Sequence, residues 1–175
     1  AAIDGQVRIA GNTKAPGNTT PPDPLVGAQI SLLDPQGAVV ASSLTDEGGR
    51  FRIEQVAPAR YRLRISTSES MPLALVEDVD VVAAENAPLD LAVEPMGRVY
   101  SSLGTQPLDG VPLFLYRDLD LSNDDPLDEE STLRRQLVSP ADLEFPEQQG
   151  QRTAHGGLYR FAPRVPGRYI IDAAP

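Results

Sequence analysis

Apolar and polar residues alternate with a period of two along most of this chain. In residues 50–53, Phe51 and Ile53 alternate with Arg50 and Arg52; in residues 60–65, Tyr61, Leu63 and Ile65 alternate with Arg60, Arg62 and Arg64. The same alternation runs through residues 24–33, 76–82 and 107–116, and through 89–93, where Leu89, Leu91 and Val93 point one way and Asp90 and Ala92 the other. Successive side chains of a strand point to opposite faces, so each segment predicts a β-strand with one buried face. An all-β fold follows.

One phrase occurs twice. Residues 45–53 read TDEGGRFRI and residues 153–161 read TAHGGLYRF. Each copy is preceded by a Pro-Leu-x-Gly segment leading into apolar alternation (24–33 and 107–116) and followed by a Pro-x-Arg-Tyr strand (58–65 and 166–171). The chain therefore reads as a diverged duplication, with one domain over 1–95 and a second over 96–175. The paired glycines Gly48-Gly49 and Gly156-Gly157 can take the positive φ of tight turns, which predicts a hairpin in each copy. A linker of about two residues is too short to act as a free tether. Two stretches have no place in the shared pattern, 12–23 and 118–151, and both read as loops. Residues 133–143 fit either one helical turn or a short strand. Nothing after residue 171 matches the first copy's last strands, so the second sandwich is expected to lack them or to receive a strand by β-addition.

Composition agrees with many turns, with Gly 14 and Pro 17. Cys 0 removes disulfides, thiolate metal sites and a thiol nucleophile. A formal net charge of -10 repels phosphate backbones and anionic lipid, so nucleic acid and membrane surfaces are excluded as electrostatic partners. No apolar run is long enough to span a bilayer. The strand pattern starts within a few residues of Ala1, as expected of a mature terminus after signal cleavage or of an excised fragment.

The residues GQV at 5–7, PLVGAQISL at 24–32, TDEGGRF at 45–51 and PARY at 58–61 resemble the carboxypeptidase regulatory-like, or collagen-adhesin B-type, domain. The second copy, through GRVY at 97–100, PLDGV at 107–111, GLYRF at 157–161 and PGRY at 166–169, resembles B-type repeats of large bacterial surface proteins. The resemblance implies two tandem immunoglobulin-like (prealbumin-like) β-sandwich domains with an extracellular, cell-surface role. Some relatives carry a Lys–Asn or Lys–Asp isopeptide bond. Lys14 is the only lysine here and residues 61–65 hold neither Asn nor Asp, so none is expected. Several relatives bind calcium through loop aspartates. Here Asp118, Asp120, Ser122, Asp124 and Glu129 stand at spacings resembling an EF-hand loop, and calcium is the one cofactor implied. A solvated acidic loop is the alternative.

The only histidine, His155, falls in the glycine turn, and the carboxylates do not group around an apolar cleft, so no catalytic residue and no enzyme activity is expected. Arg50, Arg52, Arg60, Arg62 and Arg64 are expected on neighbouring strands with side chains on one outer face. This basic patch would dock the acidic loop of a neighbouring module or another copy. The function expected is a structural or adhesive module of a secreted surface protein whose partners are proteins, itself included, with filament assembly by strand addition as its sharper form. The alternative is a carbohydrate- or ligand-binding accessory module, which Trp 0 and Tyr 5 disfavour.

Overall fold

The computed structural model describes residues 1–10, 23–93, 97–103, 105–119 and 135–173. Lys14 lies outside them. The chain divides into two compact units, Ala1–Gly97 and Arg98–Pro175.

The first unit contains β1 (Ala2–Ile9), β2 (Gln29–Leu33), β3 (Val39–Leu44), β4 (Arg50–Ile53), β5 (Ala59–Ser66), β6 (Pro72–Val81) and β7 (Asn86–Val93). They form a three-stranded sheet, β4-β1-β7, and a four-stranded sheet, β3-β2-β5-β6. β7 runs parallel to β1 and every other pairing is antiparallel. Ile3, Val7, Phe51 and Ile53 from the first sheet, with Ile30, Leu32, Leu63, Ile65 and Val79 from the second, supply the buried core of a sandwich. Gly5 faces Phe51 across the β1–β4 ladder, and a Cβ at Gly5 would lie 2.5 Å from that ring. The missing side chain is the space the aromatic ring fills.

The second unit contains β8 (Gly97–Arg98), which begins one residue before the division, then β9 (Pro112–Asp118), β10 (Arg135–Leu137), 3-10 turns at Pro140–Asp142 and Pro146–Gln148, β11 (Gln151–Arg152), β12 (Leu158–Tyr159) and β13 (Tyr169–Ala173). β10 and β11 flank one side of β9 and β13 the other, while β8 pairs with β12. Leu113, Leu115, Val138, Leu143 and Phe161 form its core. The 133–143 stretch thus contains both a short strand and a 3-10 turn, ending on the fully buried Leu143.

The repeated phrase builds the same hydrogen-bonded clasp in both units. In the first, the Thr45 hydroxyl donates to the Leu25 carbonyl (2.6 Å) and accepts from the Ala28 N–H (2.9 Å). In the second, Thr153 donates to Leu108 (2.6 Å) and accepts from Val111 (3.0 Å). Around each threonine the backbone bonds also correspond: Val7 donates to Gly49 and Leu25 to Val7, as Val99 donates to Gly157 and Leu108 to Val99. Gly27 donates to Thr45 as Gly110 does to Thr153. The second glycine of each pair has no room for a side chain, because a Cβ at Gly49 or Gly157 would lie 2.4 or 2.5 Å from the carbonyl of Val7 or Val99.

Strand register repeats as well. Leu32 faces Leu63 and Ile30 faces Ile65 between β2 and β5; Leu115 faces Ile171 and Leu113 faces Ala173 between β9 and β13. β11 takes the place of the end of β3, since Ser43 faces Ile30 as Gln151 faces Leu113. Tyr61 donates its hydroxyl to the Ala57 carbonyl, and Tyr169 does the same to Val165.

One expectation needs correcting. The glycine phrase is not a hairpin between neighbouring strands of one sheet. β3 and β4 belong to different sheets, as do β11 and β12, so the turn carries the chain across the sandwich. The physical reason is the clasp, which ties the turn to β1 and to the 25–28 stretch rather than to a strand beside it. Positive φ is found at Gly49, His155, Gly156 and Gly157, and not at Gly48.

Removing either clasp hydroxyl leaves a buried N–H and a buried carbonyl short of a partner. Thr45→Val and Thr153→Val are each expected to cost about 1–3 kcal/mol by denaturant unfolding. Gly157→Ala, with φ +79 and a blocked Cβ direction, should cost more than Thr153→Val.

Candidate interaction surfaces

The expected basic patch is not assembled. Arg50 and Arg52 lie on β4, whereas Arg60, Arg62 and Arg64 lie on β5 of the other sheet. In each strand the arginines alternate with core residues, so the two sets face outward from opposite sheets. The segment 54–58 crosses between sheets, and that crossing is what separates them.

Several of these arginines also hold local carboxylates. Arg52 bonds Asp4 across the β1–β4 ladder (2.8 Å) and Glu54 on its own strand side (2.8 Å). Arg60 bonds Asp80 across the β5–β6 ladder (2.8 Å), with Asp78 at 3.6 Å. These carboxylates raise the pKa of Arg52, chiefly through the Glu54 hydrogen bond, and of Arg60, chiefly through Asp80. Arg62 and Arg64 are half-buried and stand opposite Leu33 and Ser31, outward-facing residues of the central strand that are nonetheless buried. Their stems cover the sheet more than they offer charge.

Asp118 does not stand in an open loop. It ends β9, is buried, and its carboxylate lies 3.4 Å from the Arg168 guanidinium while its N–H donates to the Arg168 carbonyl (3.1 Å). One carboxylate oxygen is thus held by Arg168, and the backbone N–H by strand pairing. Asp120, Ser122, Asp124 and Glu129 lie outside the described residues. Among the described residues no group of three or more His, Asp or Glu side chains could hold a metal ion.

His155 sits at φ 53 in the turn, beside Gly156 and Gly157, whose N–H groups both donate to one carboxylate oxygen of Asp109 (3.0 and 2.7 Å). That constellation closes a turn. A cavity of about 100 Å³ lies beside Arg117, Leu137, Asp142 and Tyr169 in the second unit, small for an organic ligand. Tyr61 is buried, Tyr116 lies under the Arg135 guanidinium (4.3 Å to the ring centroid), and Tyr100 is exposed.

Sequence reasoning missed a set of buried glutamines. Gln148 and Gln151 are almost fully buried; Gln151 donates to the Gln148 and Arg160 carbonyls and accepts from the Arg160 N–H, and Gln148 accepts from Ala162. Gln149 bonds both the N–H and the carbonyl of Leu115 (2.8 and 2.9 Å), filling the gap between β10 and β11 as a strand would. The only hint in the sequence is that three glutamines follow one another at 148, 149 and 151 inside an inserted stretch.

Residues 8–94 match the model of the carboxypeptidase regulatory-like domain. The first unit carries a carboxypeptidase regulatory-like domain. Over 163 residues the chain is 26% identical to Colossin-A of Dictyostelium discoideum, a match that covers 90% of this chain and 1% of that protein. The chain thus spans about one hundredth of the curated relative's length. Solved structures it resembles include the shaft pilin SpaA of Lactobacillus rhamnosus GG (9% identity, 90% of this chain and 80% of that one, TM-score 0.35). A minor pilin of Streptococcus agalactiae (12%, 99% and 83%, 0.34) and a type II cohesin–X-dockerin complex from Acetivibrio cellulolyticus (20%, 63% and 65%, 0.37) are also among them. No helix among the described residues is long and apolar enough to cross a membrane.

Asp118→Asn tests the place of that carboxylate. It should lower the stability of the second unit by about 1–2 kcal/mol and leave calcium affinity, measured by calorimetry, unchanged from the parent chain.

Proposed function

We propose that the chain is a structural or adhesive tandem module of an extracellular, cell-surface protein, acting through protein contacts and not through catalysis. The observation that carries this reading is the clasp and register repeated in both units: the residues the two copies share are those that hold backbone to backbone. Shared residues in an enzyme family would converge on a substrate-sized cleft; here they converge on turns and strand edges. Acidic and basic side chains on the first unit's ladders neutralise one another in exposed pairs, which contribute little stability and leave the surface polar. The matched family is named as a domain and not as a whole protein, and in Colossin-A the matched stretch is about one hundredth of the chain. Both support a role as one module among others.

Strand addition is the sharper form of this reading, and calcium at Asp118, Asp120, Ser122, Asp124 and Glu129 remains an expectation that belongs with it.

Pulled from its two ends in a single-molecule force experiment, the chain should unfold in two discrete steps, one per unit. On a glycan array and against ester, peptide and glycoside substrates it should stay at background. Saturable binding to one glycan class would replace this reading with that of a carbohydrate-binding accessory module.

A further inference from the structure

The first and last strands of the first unit, β1 and β7, lie side by side and point the same way. They pair in parallel along the full length of β1, from Ala2 opposite Asn86 to Ile9 opposite Val93. Ala10 extends the ladder by donating its N–H to the Val93 carbonyl (2.9 Å). Tension along the chain enters this unit at the N-terminal end of β1 and leaves it at the C-terminal end of β7. In a parallel pair those two points stand at opposite ends of the ladder, so the pull runs along the strands in opposite directions and loads all the bonds together. An antiparallel pair would bring both points to one end, and its bonds would break one after another. The bonds of a parallel ladder are evenly spaced, which lets them share the load.

The sequence keeps this ladder whole. Val7 gives its N–H to the Gly49 carbonyl and accepts from Leu25 on the side of β1 away from β7, whereas Ala10 bonds Val93 on the β7 side. Backbone groups alternate in side along a strand, so Asp4, Gln6 and Arg8 turn theirs toward β7, and the positions of β7 that answer them are 87, 89, 91 and 93. Pro88 stands between bonding positions, where its missing N–H costs the ladder nothing. Side chains oppose sliding as well. Ile3 and Val7 are fully buried, with Ile9 and Val93 nearly so, and the Phe51 ring fills the space above Gly5. A shift of two residues is the smallest that keeps the buried face of β1 inward. It would bring Ile3 or Val7 to the place of Gly5, where a Cβ would lie 2.5 Å from that ring.

We propose that the β1–β7 ladder is a shear clamp and that bearing tension along the chain is a function of the first unit. This goes beyond a structural or adhesive role, because a spacer needs only to fold, whereas a load-bearing module needs its terminal strands paired in this sense. Forced unfolding is governed by the unfolding barrier and not by equilibrium stability. The signature of the clamp is therefore a rupture force that depends on the direction of pull, at one and the same stability.

The test pulls the full chain in two directions. Cys 0 in the sequence makes introduced cysteines unique attachment points. Ala1→Cys with Pro175→Cys loads the ladder in shear, and rupture of the first unit, Ala1–Gly97, is recognised as the longer of the two released lengths. Ala1→Cys with Glu85→Cys pulls at the exposed residue just before Asn86, beside Ala2, so the same ladder opens from one end. At equal loading rate the first unit should rupture at a force about twofold or more higher in the first geometry, where the evenly spaced bonds act together. The denaturant midpoints of the two variants should coincide, since both keep every ladder. Equal rupture forces in the two geometries, or a lower force in shear, would overturn the proposal. Neither result alters the number of unfolding steps or the glycan array, so the broader reading stands or falls separately.

Discussion

Both units depend on one buried hydroxyl. A sandwich must bring the chain across from one sheet to the other, and each crossing exposes backbone groups that no ladder satisfies. Thr45 and Thr153 solve this at the β3-to-β4 and β11-to-β12 crossings by serving as donor and acceptor at once, to the carbonyl and N–H of the Leu25–Ala28 and Leu108–Val111 stretches. A threonine can do both because its hydroxyl has one proton and two lone pairs. Valine has the same shape and neither function. The close approach that follows, carbonyl of Val7 or Val99 against the glycine Cα, leaves glycine as the residue that fits. The identities Thr and Gly in the repeated phrase are therefore two sides of one constraint.

Because the clasp fixes the end of β1, the turn into β2 and the start of β4 relative to each other, the stretches between them are free to change length. The connection from β2 to β3 is a short turn in the first unit, closed by Asp34. In the second unit the corresponding region includes β10, two 3-10 turns and the glutamine braces. Inserted chain costs little loop-closure entropy as it lengthens, but its buried backbone must still be bonded. Gln148, Gln149 and Gln151 meet that requirement with side-chain amides, each of which offers donor and acceptor together.

Period-two alternation was enough to place most strands of the first unit, though not β3, and the repeated phrase was enough to pair the two copies, because both signals are local. The arginine face failed for a non-local reason: alternation tells which residues point outward from a strand, and says nothing of which sheet the strand joins. Residues 50–53 and 59–65 look alike in sequence and lie on opposite layers. Asp118 was misread for a related reason, since an acidic run looks like a loop even when its first residue closes a strand and meets an arginine some fifty residues later. The glutamine braces were illegible, as nothing in a lone glutamine distinguishes a solvated side chain from one that replaces a strand.

The clasp also accounts for how two copies with different insertions keep one strand register. None of its hydrogen bonds, in the first unit, involves β6 or β7. The β9–β13 ladder repeats the register of β2–β5. Burial differs where register does not: Val99, Val111, Tyr159, Tyr169 and Ile171 are only partly buried, whereas their counterparts Val7, Ala28, Phe51, Tyr61 and Leu63 are buried. Geometry held by hydrogen bonds and stability supplied by burial are thus separable in this fold, because a hydroxyl that bonds two backbone groups fixes their distance whatever apolar area lies around it.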